Sequence, residues 1–70
     1  MKKVTFYHGY NLVAVAKVIH TVMTPAGWSL AQAKAAMEKG VVSHIDLKTA
    51  EHLKDMLESV GAEDIVISDE

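Results

Sequence analysis

No cysteine and no arginine occur among the 70 residues. Proline occurs once, and the aromatic side chains are one tryptophan, two tyrosines and one phenylalanine. Without cysteine there is no disulfide staple, no thiolate nucleophile and no thiolate metal cluster. Without arginine the chain lacks the bidentate guanidinium fork on which base-specific readers of nucleic acid rely. Its net charge of −2 supplies no general basic footprint in compensation. No apolar run approaches the ~20 residues a bilayer span needs. The start, Met1-Lys2-Lys3-Val4, leads into a polar and aromatic stretch, unlike a secretory leader. These absences predict a cytoplasmic protein that engages neither nucleic acid nor membrane. They also predict no cofactor, because a chain this short hides only roughly 60% of its unfolded surface and has little core to wrap around one.

What is present is globular in character, with half the residues apolar and 23% charged. One domain over residues 1–70 is expected. The charge is unevenly spread. Residues 1–37 hold Lys2, Lys3, Lys17 and Lys34 and no acid, whereas residues 38–70 hold three lysines against nine acids. Such a dipolar chain points to an oriented electrostatic partner.

Local patterns predict three strands and three helices. Val4-Thr5-Phe6-Tyr7-His8 is β-branched and aromatic and reads as a strand over 3–8. Asn11 is a good N-cap for a helix over 11–23, with Leu12, Val15, Ile19 and Val22 as its buried stripe. Thr24-Pro25-Ala26-Gly27-Trp28 reads as a turn. The capping-box pattern Ser29-Leu30-Ala31-Gln32 opens a helix over 29–39 with Leu30, Ala33 and Met37 facing inward, and Gly40 suits its left-handed stop. A strand follows over 41–45. Asp46 caps a helix over 46–60 whose stripe is Ala50, Leu53, Leu57 and Val60. Ile65-Val66-Ile67 centres a last strand over 64–68, and Asp69-Glu70 is expected to fray. The order β-α-α-β-α-β, with a right-handed crossover for the one parallel relation, gives a three-stranded antiparallel sheet of order 2-1-3. All three helices then lie on one face, an α+β two-layer sandwich.

Three segments carry a family likeness: Asn11-Leu12-Val13-Ala14-Val15-Ala16-Lys17, Leu30-Ala31-Gln32-Ala33-Lys34, and Ala50-Glu51-His52-Leu53-Lys54 followed by Val60-Gly61-Ala62-Glu63. In joint order and spacing they resemble the C-terminal domain of the bacterial ribosomal stalk protein, over nearly the whole chain. The resemblance implies the same α+β fold and a docking role, the recruitment of translation GTPases through the first helix and the start of the second. Val13, Lys17 and Lys34 match positions that the family uses for docking. Leu12 stands where lysine is usual, Ala16 where isoleucine is, and His20 where arginine is. The connection between the first two helices is longer than in the family and carries Pro25 and Trp28, and the connection after the second helix is shorter. The family's dimerisation domain and hinge have no counterpart in these residues, so a free-standing, divergent relative is expected.

Other constellations are weaker. His8, His20, His44 and His52 lack the tight spacing of zinc ligands. Ser29 and Ser43 sit in no nucleophile turn. Glu51, Asp55 and Glu58 form an acidic ladder off the buried stripe of their helix and read as a solvated face. Trp28 is either a plug for the end of the core or a binding anchor at the tip of the helical hairpin. Val13, Lys17 and His20 fall at i, i+4 and i+7, with no local acid to neutralise the lysine.

The sequence thus favours a non-enzymatic docking module, monomeric or weakly self-associating, that engages an acidic protein surface. Its expected contact residues are Val13, Lys17, His20, Trp28 and Lys34, and its expected partner is a translation factor or other ribosome-linked protein. Competing expectations are an inhibitor or modulator of a host protein, of the sort phages and mobile elements encode, and a peptide binder akin to the Clp protease adaptor. A small histidine-dependent metal binder or enzyme is the alternative from a different class.

Overall fold

Asn11, Ser29 and Asp46 each close the first turn of a helix, and these three caps set the frame of the fold. Asn11 Oδ1 accepts from the Ala14 amide at 3.2 Å. Ser29 Oγ accepts from the Gln32 amide at 3.2 Å while Gln32 Oε1 accepts from the Ser29 amide at 2.7 Å, a complete capping box. Asp46 Oδ1 accepts from the Thr49 amide at 2.7 Å. The Thr49 hydroxyl first, and its amide second, hold the Asp46 carboxyl below its ordinary pKa. The computed structural model, covering residues 1–70, accordingly contains β1 (Lys2–Tyr7), α1 (Leu12–Met23), a 3-10 turn (Thr24–Ala26), α2 (Leu30–Lys39), β2 (Val41–Ile45), α3 (Leu47–Ser59) and β3 (Glu63–Asp69). The predicted order is the observed one, with boundaries shifted by a residue or so.

The sheet is antiparallel throughout, in the order β2-β1-β3. Val4 and Phe6 point from the central strand into the helical layer, and Val42, Ile65 and Ile67 join them from the flanking strands. The other face is left open, with Tyr7 and Val66 exposed on it. Each flanking strand carries one irregularity against β1, and each irregularity coincides with a non-glycine residue at positive φ. In β2 it is His44 at φ 60, and in β3 it is Asp64 at φ 53. The extra residue in each case sharpens the local twist of the sheet.

A single apolar cluster joins the two layers. Ile19, Leu53, Leu57, Val4, Val15 and Val42 are its largest fully enclosed side chains, and no polar side chain is buried. Gly40 passes the chain from α2 straight into β2. It adopts φ 75, and a Cβ there would run into the Phe6 carbonyl oxygen, which itself accepts nothing from Gly40 but lies beside it as Phe6 donates its amide to the Gly40 carbonyl at 2.9 Å. Only glycine meets both demands.

Three sequence expectations are corrected. Leu12 and Leu30 were placed on buried stripes, yet they are 43% and 46% exposed. Each begins its helix, where the stripe overruns the edge of the layer it packs on. Asp69 and Glu70 do not fray. Lys2 Nζ pairs with Asp69 and holds its carboxyl below the ordinary pKa. Glu70 donates its amide to the Met1 carbonyl at 3.2 Å, and its carboxylate accepts from the His44 amide at 3.1 Å and lies 3.0 Å from His44 Nδ1. The chain end therefore crosses the end of β1 and ties the two outer strands together. The strand expected to include His8 stops at Tyr7, and the His8 ring instead meets the Gly9 carbonyl at 2.7 Å.

Candidate functional site

The helices α1 and α2 pack closely on each other, and where their outer flanks diverge they leave a groove of about 300 Å³. Its α1 wall is formed by Leu12, Val13, Ala16 and Lys17, two adjacent pairs one helical turn apart. Its α2 wall is formed by Leu30, Lys34 and Met37, at i, i+4 and i+7. Ala16 and Met37 are buried and make the floor, while Val13 is 67% exposed and stands at the lip with Leu12 and Leu30.

The electrostatics of the groove follow from what is missing around it. The chain's two ion pairs, Lys2 with Asp69 and His44 with Glu70, are both at the sheet end. Lys17 and Lys34 are exposed and paired with no carboxylate. Two unneutralised ammonium groups thus rim an apolar trough. A cation on a flexible four-carbon stem keeps its head in water while its stem covers apolar surface, so the rim is adaptable as well as charged. An apolar centre with a charged border is the anatomy of a protein contact.

The structure brings together Val13, Lys17 and Lys34, three of the five expected contact residues. The other two are elsewhere. His20 is half-buried in the last turn of α1, one turn past Lys17 and beyond the end of the groove. Trp28 is half-buried against the core and lines a different hollow, on the far side of α2. The hairpin connection, with its 3-10 turn and the left-handed Gly27 at φ 84, places the indole beside β2. Leu12, Ala16, Leu30 and Met37 belong to the groove and were not expected there. Leu30 stands one turn before Lys34, and that spacing was the available signal for it.

No three side chains among His, Cys, Asp and Glu come close enough to hold a metal ion. Glu51, Asp55 and Glu58 are all exposed along α3, as a solvated face should be. No helix is long and apolar enough to cross a membrane. Comparison with protein-family models, with curated proteins and with solved structures finds no match for this chain.

Proposed function

We propose that the chain is a non-enzymatic docking module that engages an acidic protein surface through the groove between α1 and α2. The observation that carries this is the pair of unpartnered lysines, Lys17 and Lys34, on opposite walls of an apolar groove. A partner with carboxylates flanking an apolar side chain buries that side chain on Ala16 and Met37 and meets both ammonium groups. The lysines speed encounter and fix orientation, and the apolar floor supplies most of the contact energy. Val13, Lys17 and Lys34 occupy positions that match docking positions of the ribosomal stalk family. That resemblance makes a translation GTPase, or another ribosome-linked protein of the cytoplasm, the first partner to try.

The test is a titration of the isotope-labelled chain with a purified bacterial translation GTPase, followed through its amide resonances. Perturbations gathered on residues 12–17 and 30–37 support the proposal. Binding that leaves those residues unchanged and perturbs the open sheet face refutes it.

A further inference from the structure

One helix, α2, separates two hollows. Its Leu30, Lys34 and Met37 stripe faces the groove just described. Gln32, Ala35, Ala36 and Lys39 line the other hollow, of about 320 Å³, which has Trp28 at one end and β2 as its second wall. Ala35 and Ala36 project only a methyl group each, so the space beside β2 stays open beneath α2.

The strand on that wall is an edge. Phe6 donates its amide to the Gly40 carbonyl, and Val4 lies opposite Val42, so the backbone groups of Gly40 and Val42 face β1. Antiparallel alternation then turns the N–H and C=O groups of Val41 and Ser43 outward. No turn, cap or side-chain hydrogen bond engages either amide. An unpaired strand edge beside a trough that offers apolar and polar contacts, with a helix as its other wall, is how sheet-extending peptide sites are built.

We propose that this edge accepts a short extended segment of a partner protein as a fourth strand, running antiparallel to β2 beneath α2. An apolar side chain of the segment rests on Ala35 and Ala36 beside Trp28, and a carboxylate at its end meets Lys39. The carboxylate is chosen by charge. His44 is already held by Glu70, so Lys39 is the hollow's unpaired charge. It stands where β2 begins, which is where an antiparallel segment ends.

A second copy of this chain would bring its own α2 to the same face of a shared sheet, whereas an extended segment brings no helix with it.

The residues opposite Val41 and Ser43 point to the open face, and those between them point toward α2. The probe is therefore the acetylated, amidated pentapeptide Val-Thr-Val-Thr-Asp, its valines facing α2 and its threonine amides donating to β2. At millimolar peptide, exchange of the Val41 and Ser43 amides should slow by about tenfold or more, as new hydrogen bonds require, and Trp28 emission should shift. N-methylation of both threonine amides should abolish binding, as should Ala35→Arg, at an exposed helical position. Lys17→Glu should leave the peptide affinity unchanged, which keeps this site distinct from the α1–α2 groove. The proposal is overturned if the peptide does not bind, if the N-methylated peptide binds equally well, or if bound peptide leaves the Val41 and Ser43 amides unprotected. It is also overturned if those amides are protected in a dimer with no peptide present.

Discussion

Lys17 of α1 and Lys34 of α2 stand on opposite walls of one apolar groove, and neither is paired with a carboxylate. In a chain with more acids than bases, that is a local imbalance maintained by sequence, because residues 1–37 hold no acid at all. Among the acids, Asp46 caps α3, Glu51, Asp55 and Glu58 line its solvated face, Asp69 and Glu70 tie down the chain end, and Glu38 sits on α2 one turn past Lys34 without pairing with it. Folding pairs Lys2 with Asp69, but no carboxylate pairs with Lys17 or Lys34, and the groove keeps a positive rim.

Leu30 and Leu53 separate stability from binding. Leu53 is fully enclosed in the core, and Leu53→Ala should destabilise the fold by about 2–5 kcal/mol. Leu30 is about half exposed at the groove lip, so Leu30→Ala should destabilise by roughly 1 kcal/mol or less, nearer the range of surface changes, while weakening partner binding. Chemical denaturation of both variants checks the first part. Equal destabilisation would place Leu30 in the core and remove it from the site.

Gly40→Ala should destabilise by more than about 1 kcal/mol, the ordinary cost of a residue with a Cβ at positive φ. A methyl group there also meets the Phe6 carbonyl on the central strand. Gly27→Ala, where a Cβ has open space around it, should pay only the conformational part. Denaturation midpoints of the two variants, compared at equal m-values, give the difference.

The order of elements was legible because each helix announces its start with a capping residue, and Gly40 and Gly61 announce stops. The bulges at His44 and Asp64 were not legible. Histidine and aspartate tolerate positive φ better than most residues, but the position of the extra residue shows only in the pairing with β1. Of the seven residues that line the groove, Val13, Lys17 and Lys34 were legible and four were not. The spacing of Val13, Lys17 and His20 fixes their direction around α1, but only the placement of α2 decides how far along that face the groove extends. It ends before His20. Leu12 and Leu30 have the periodicity of core residues, and the limits of the opposing layer, not their own spacing, leave them exposed. Trp28 packs on the core and also lines the hollow by β2, so the two roles its sequence position allows are not exclusive.

The acid limb of stability should carry the mark of Asp46 and Asp69. Both carboxyls are held below their ordinary value of 3.8, Asp46 by its bonds to Thr49 and Asp69 by Lys2. A depressed folded-state pKa means that the unfolded chain takes up the proton first. The stabilisation is therefore fully present above the ordinary value and is lost as pH falls through the lowered one. Asp46→Asn and Asp69→Asn should flatten the fall in melting temperature below about pH 4, near the ordinary carboxylate range, and change its slope little near neutrality. A parallel acid limb in the variants would show that neither carboxyl contributes.

Charge reversal at the groove is the most direct measurement. The affinity of the parent chain, Lys17→Glu and Lys34→Glu for a purified bacterial translation GTPase, or for the acidic partner recovered from cell extract, should be compared at low and high salt. Folding of each variant is confirmed by its melting curve. Both variants should bind at least about tenfold more weakly at low salt, and the gap should narrow as salt screens the charges. Variants that fold normally and bind like the parent at both salt concentrations would show that the groove between α1 and α2 is only a solvated surface.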